Sequence, residues 1–303
     1  MENKKEFKGI DISEFNGKID FKKVKSEVDF IMIRVTFGRK GIDKRFKENV
    51  KGCIENDIPF GFYYYSYAVD EETAKEECSF FLKEINEYKD LTRYPIAIDM
   101  EDSDGYKDKH NALNKNTITN ICKIAIEKMQ TAGYISMIYA NFDFFKNYID
   151  EKEVDKIPKW LALWNENATI DKEKFKIWQK SSKGKISGIE GNVDINISYV
   201  DYEKYIAYIR NIIKIQFIKL QSGIEDLTIQ YLSCYKEGQA LIDKIYNRIN
   251  NPKKIDNPSE DIHILVNLEY GLLPRDIAHI NNYLYGEDLY LKLYRVLCKG
   301  DVK

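Results

Sequence analysis

From residue 8 to about residue 200 the chain alternates short apolar runs of strand period with amphipathic stretches of helix period, an order that few architectures accept. Strand-like runs fall at 8–12, 30–36, 60–67, 94–99, 136–140, 159–162, 176–179 and near 193–195. Helix-like stretches fall at 21–26, 46–56, 71–85, 116–132 and 144–147. A strand that returns through a helix pairs parallel to its predecessor, so this series predicts an α/β fold with eight strands closed into a barrel. Helices are fewer than strands and some are short, which predicts an irregular barrel. At 303 residues the chain exceeds the length of one such barrel, commonly about 200–250 residues, so a second, smaller unit is expected.

Parallel barrels carry their chemistry at the carboxyl ends of the strands, where the loops gather around one mouth. That rule singles out Ile96-Ala-Ile-Asp99-Met-Glu101, a β-prone run that delivers two carboxylates two residues apart on one strand face. Two carboxylates held close do not both ionise freely, so one stays protonated as an acid while the other stabilises positive charge. Asp11 ends the first strand, Tyr63 and Tyr65 lie on the third, Asn141 follows the fifth, Gln179 ends the seventh and Asp194 comes with the last. Acids that reach one mouth from at least three strands, each at the end of an apolar run, point to a functional acidic site rather than a solvated surface.

Composition narrows the class. Lys and Arg number 47 against 49 Asp and Glu, a net charge of −2, so no global field draws the chain to nucleic acid or an anionic membrane. The 22 Tyr and 15 Phe exceed what packing alone demands, and some of these rings are expected to line a groove. The most apolar window, 205–220, is broken by Arg210, Lys214 and Lys219, so no membrane span is expected. The charged start, Met1-Glu2-Asn3-Lys4-Lys5-Glu6, lacks the apolar stretch of a signal peptide, which predicts synthesis and retention in the cytoplasm until release. Cys53, Cys78, Cys122, Cys234 and Cys298 are odd in number and widely spaced, and His110, His263 and His279 are scattered. That pattern suits reduced thiols and predicts neither a disulfide framework, a metal centre nor a cofactor.

Beyond about residue 202 the texture is helical. Leu227, Tyr231, Leu241, Ile245 and Ile249 keep a three-four spacing that ends at Asn250-Asn251-Pro252, and three shorter helices follow, bounded by Ser259, Gly271, Pro274 and Gly286. The expected division is a barrel over residues 1–203 and a helical unit over 204–303, with no flexible linker between them. A stripe of that kind must be buried against something, so it packs on itself, docks on the barrel or pairs with another copy of the chain, and the tail is expected to be a binding module, an oligomerisation element or a structural extension. A helix-turn-helix over 272–284 lacks the basic face needed for DNA.

The barrel segments share an ordered series of motifs with one family. They are Gly9-Ile-Asp11-Ile-Ser13-Glu-Phe-Asn16-Gly17, Ile33-Arg34-Val-Thr-Phe-Gly38, Gly61-Phe-Tyr63-Tyr64-Tyr65 and Tyr94-Pro-Ile-Ala-Ile-Asp99-Met-Glu101. Ile138-Tyr139-Ala-Asn141, Trp160-Leu-Ala-Leu-Trp164, Ile177-Trp178-Gln179 and Gly191-Asn192-Val-Asp194-Ile-Asn196 complete the series. Over roughly residues 8–200 this order resembles the glycoside hydrolase family 25 muramidases, the Chalaropsis or cellosyl type of lysozyme. The resemblance implies an irregular β/α barrel that cuts the β-1,4 bond between N-acetylmuramic acid and N-acetylglucosamine in bacterial peptidoglycan, acting on the wall in the manner of a phage endolysin. It implies Glu101 as proton donor, with Asp99, Asp11 and Asp194 as the acids around it and Asp99 stabilising the charged intermediate. Those neighbours are expected to hold the Glu101 carboxyl protonated near neutral pH. Tyr63, Tyr65, Tyr139 and Trp164 are expected to offer flat walls to sugar faces, and Asn141, Gln179 and Arg34 to donate hydrogen bonds. Some members carry Gly-x-Tyr-His where this chain has Gly61-Phe-Tyr63-Tyr64. The alternative, a carbohydrate-binding protein on a decayed barrel, is disfavoured because all four acids are present.

Overall fold

The computed structural model describes residues 6–165 and 167–210. Nine strands occur among them: β1 (Phe7–Ile12), β2 (Phe30–Phe37), β3 (Gly41–Ile42), β4 (Phe60–Tyr65), β5 (Ile96–Asp99), β6 (Ser136–Asn141), β7 (Lys159–Ala162), β8 (Phe175–Gly184) and β9 (Val193–Ser198). The helices are α1 (Phe21–Val24), α2 (Phe46–Glu55), α3 (Glu71–Ile85), α4 (Tyr106–Lys109), α5 (Lys115–Thr131) and α6 (Phe142–Asn147). The sheet runs β1-β9-β8-β7-β6-β5-β4-β2-β3, and a further β1–β2 pairing closes eight of these strands into a barrel, with β3 folded back on β2 outside it. This is the expected irregular (β/α) barrel.

Two features depart from an all-parallel reading. Strand β9 pairs antiparallel with both β8 and β1, because the eight residues between β8 and β9 hold no crossover helix that could bring the chain back to the same end. The β8–β9 ladder also slips register twice, so it absorbs the mismatch left by closing a mixed barrel. Strands β8 and β9 run past the carboxyl ends of the short strands read from the apolar pattern, since polar residues such as Lys180 and Asn196 continue the ladder.

Period-two alternation sorts the strand side chains into two cores. Ile10, Ile33, Phe62, Ile98, Ile138 and Leu161 face outward and pack under the helices together with Phe81, Ile118 and Ile126. Phe30, Met32, Ala97, Met137, Trp160 and Ile177 fill the barrel interior. The floor is closed by Phe30 stacked on Tyr94 at 4.2 Å between centroids. Gly9 makes room for that stack, since a Cβ there would lie 2.4 Å from the Phe30 ring. One step toward the carboxyl ends, the inward positions change from apolar to polar: Asp11, Arg34, Tyr65, Asp99, Asn141 and Gln179.

The long helices begin at side-chain caps. Asp70 accepts from Thr73 N at 2.8 Å to start α3, and Asn114 accepts from Thr117 N at 3.0 Å to start α5. Cys53, Cys78 and Cys122 are buried free thiols. Residues 6–206 form one compact unit. The chain is helical over 202–210, while the rest of the expected 204–303 unit, with the stripe from Leu227 to Ile249, Cys234, Cys298, His263 and His279, lies outside the described residues. Among the described residues no helix is long and apolar enough to cross a membrane.

Candidate active site

A cavity of about 620 Å³ opens at the carboxyl end of the barrel. It is lined by each of the residues singled out from the sequence: Asp11, Asp99, Glu101 and Asp194, the rings of Tyr63, Tyr65, Tyr139 and Trp164, and the polar groups of Asn141, Gln179 and Arg34. The strand register explains the convergence. Asp99 sits beside Tyr65 of β4 and Tyr139 of β6, Gln179 beside Ala162 of β7 and Asn196 of β9, and Asp11 directly opposite Asp194.

The four acids form two hydrogen-bonded carboxyl pairs. Asp99 bonds Glu101 just past the end of β5, and Asp11 bonds Asp194 across the β1–β9 ladder. Burial is the first cause that pushes each of the four above the usual carboxylate range. For Asp99 the charge and hydrogen bond of Glu101 add to that push, and for Asp11 the charge of Asp194 does the same. Glu101 is raised by burial, while the bond from Asp99, the Lys107 ammonium and Ser103 pull against the rise. The neighbouring acid therefore does not itself raise Glu101. Asp99, buried beside that carboxyl, is raised well above the usual range, so the pair binds a proton more tightly than an isolated carboxyl does.

Polar partners hold this arrangement rigid. Asp11 Oδ2 accepts from Gln179 Nε2 at 2.9 Å and from Asn196 Nδ2 at 2.7 Å. Gln179 Oε1 accepts in turn from Tyr139 OH at 3.1 Å and Trp164 Nε1 at 2.9 Å, and Asn196 Oδ1 accepts from Trp160 Nε1 at 2.7 Å. Gln179 thus spends its amide on orienting its neighbours. Asn141 Oδ1 caps α6 by accepting from Phe144 N at 2.9 Å, which fixes the side chain at the rim. Arg34 donates from Nε to Asp43 at 2.9 Å and from a terminal nitrogen to Glu14 at 3.2 Å, with the exposed Phe15 ring 4.8 Å from its Cζ.

The rings divide by depth. Tyr63 and Tyr139 are buried and pack edge-on against Trp160, so they form the floor beneath the acids. Trp164, 63% exposed, stands at the rim with its indole tied to Gln179. The sequence reading missed Phe15 and Phe142, exposed by 82% and 50%, which flank the opening. Each lies in a single 3₁₀ or α turn, where no periodicity marks a ring as facing a cavity. It also missed Trp160 and Asn196, although both stand in the quoted motifs, because a buried residue that positions another looks like ordinary core. Among the described residues no group of three or more His, Cys, Asp and Glu side chains is arranged to hold a metal ion.

A deep acidic floor beneath exposed rings suits a polymer of sugar rings, whose apolar faces stack on aromatic planes. The model of the Glycosyl hydrolases family 25 matches residues 10–189. Among curated proteins, YegX of Escherichia coli strain K12 is 27% identical over 214 residues, covering 67% of this chain and 74% of its own length. Lysozyme M1 of Streptomyces globisporus is 24% identical over 196 residues, covering 62% and 66%. Among solved structures, the modular autolysin LytC of Streptococcus pneumoniae, in complex with a synthetic peptidoglycan ligand, aligns with a TM-score of 0.58 and 29% identity. That alignment covers 63% of this chain and 46% of LytC, so the chain spans just under half of that relative's length.

Proposed function

The chain belongs to glycosyl hydrolase family 25, and on that premise we propose that it is an N-acetylmuramidase that cleaves the β-1,4 bond between N-acetylmuramic acid and N-acetylglucosamine in bacterial peptidoglycan. The observation that carries this reading is the buried Asp99–Glu101 pair at the floor of an aromatic-rimmed cavity. Lysozyme M1 and the LytC autolysin bound to a peptidoglycan ligand support the choice of substrate.

Glu101 is the proton donor in this scheme. As the bond from the anomeric carbon to the leaving oxygen breaks, positive charge grows on the anomeric carbon and an anionic Asp99 is favoured beside it. That field moves the shared proton from Asp99 onto Glu101, which passes it to the departing oxygen. Water then adds to the anomeric carbon and its proton returns to the Glu101–Asp99 pair, so the site ends as it began. Asp11 and Asp194 sit across the mouth and tune the pair, and Trp164 and Tyr65 offer planes to the sugars.

The test is fragment analysis of purified cell walls digested with the full chain, by reduction with borohydride and mass spectrometry. New reducing ends on muramic acid are the expected product. New reducing ends on glucosamine, or cleavage of peptide bonds alone, contradict the reading.

A further inference from the structure

Lys107 is fully buried, and neither the family resemblance nor the proposed reaction assigns it a task. It enters from α4, where a surface turn Asp102-Ser-Asp-Gly-Tyr-Lys107 folds back under the end of β5. Gly105 at φ +69° permits the reversal. Asp102 closes the turn by accepting from the backbone nitrogens of Lys107 at 2.7 Å and Asp108 at 3.1 Å. The Lys107 ammonium then donates to Glu101 O at 2.7 Å and to Ser66 O, the first residue past β4. It also lies 5.6 Å from the centroid of the Tyr65 ring. A buried ammonium is costly unless its hydrogens and its charge are matched, and this one is spent on the backbone of the candidate proton donor.

We propose that Lys107 is a positioning residue of this site: its buried ammonium ties the Glu101 backbone to the end of β4 and supplies the positive charge above which Asp99 and Glu101 share a proton. The inference rests on the reading of Asp99 and Glu101 as the reacting pair. The groups facing the ammonium come from every element around it: Glu77 from α3, Asp99 from β5, Asp102 from the turn and the Cys122 thiol from α5. Glu101 meets, besides Asp99 and Lys107, Asp104 and Ser103 of the same turn, while Asp11 and Asp194 face the pair from β1 and β9. Among these neighbours Lys107 is the cation, and it pulls both Asp99 and Glu101 down against their burial. Glu77 is held against the same corner by Ser66 Oγ at 2.8 Å and Tyr67 N at 2.9 Å.

The variant is Lys107→Met, which keeps the length and removes the charge. Both limbs of the pH–rate profile should move to higher pH by about one unit, because each carboxyl loses a nearby cation. Displacement of Glu101 should lower kcat by about ten- to a hundredfold with KM little changed. Lys107→Arg should hold the limbs in place. The carboxyl carbons of Asp99 and Glu101, followed by NMR in wild-type and Lys107→Met protein, should show the same upward shift whatever the activity. A folded Lys107→Met protein whose carboxyl titrations match the wild type overturns the proposal. If that variant does not fold, the wild-type Lys107 Nζ resonance decides the matter: it should shift at the midpoint of the Asp99–Glu101 titration, and a flat response overturns the proposal. Full activity in Glu101→Gln would instead remove the reading of the reacting pair and leave the carboxyl titrations to judge Lys107.

Discussion

Asp11 receives two amide hydrogens, from Gln179 and Asn196, and is hydrogen-bonded to Asp194 as well. An amide in its place can repeat those contacts, accepting through its oxygen and donating to Asp194 through its nitrogen. Asp11→Asn should therefore keep the fold and raise thermal stability at pH 7, since the carboxyl it replaces is buried beside a second acid. Turnover should fall by no more than about tenfold, because in the proposed scheme Asp11 tunes the reacting pair and Glu101 protonates the leaving oxygen. Calorimetry at pH 7 and steady-state kinetics check both halves, and a lower melting temperature contradicts the assignment. At this scale the acids were the legible part of the site, because the strand period places Asp99 and Glu101 on one face and a buried apolar run before Asp11 and Asp99 betrays their direction, whereas Asp194 opens β9 and reaches the mouth because that strand runs antiparallel. Lys107 was illegible for the opposite reason. Its neighbours Asp102, Asp104, Asp108 and Lys109 read as a solvated charge run, and nothing in the local pattern says that one cation of the run turns inward.

Strand β9 carries Asn196, the side chain that joins three strands by bonding Trp160 of β7 and Asp11 of β1. Asn196 is fully buried, so Asn196→Ala should leave the Trp160 indole hydrogen unmatched, take one of its two donors from Asp11 Oδ2 and cost about 2–3 kcal/mol. Urea unfolding measures that loss, and a change below about 0.5 kcal/mol, the size of an ordinary surface substitution, contradicts the role. The order of the elements was legible because eight apolar runs with helices between them leave little choice but a barrel. The antiparallel course of β9 and the β3 flap were not, since strand direction depends on the length and path of a connection rather than on the residues of the strand. The extent of β8 was hidden too, because Lys180 to Gly184 form strand through backbone pairing with β9 and carry no apolar signal.

For the barrel as a whole, buried acids set how stability responds to pH. Glu77 is pushed up to about 7 by burial, and Asp11, Asp99, Glu101 and Asp194 are raised in the same direction. A carboxyl raised on folding binds its proton more tightly in the folded chain than in the unfolded one. Its contribution is therefore present at low pH and is lost as pH climbs from the unfolded value through the folded one. Glu77 alone accounts for about 3 kcal/mol across that window. The melting temperature should accordingly be higher near pH 5 than near pH 8, and a steady rise from pH 5 to pH 8 contradicts it. Keeping these acids buried gives up stability, the trade expected of the proposed acidic site. The most direct measurement compares release of reducing muramic acid ends from purified walls by the wild-type chain and by Glu101→Gln, each verified as folded. The expected result is loss of about 10²–10⁴-fold in the variant, the usual worth of a general acid, and equal rates in the two proteins would contradict it.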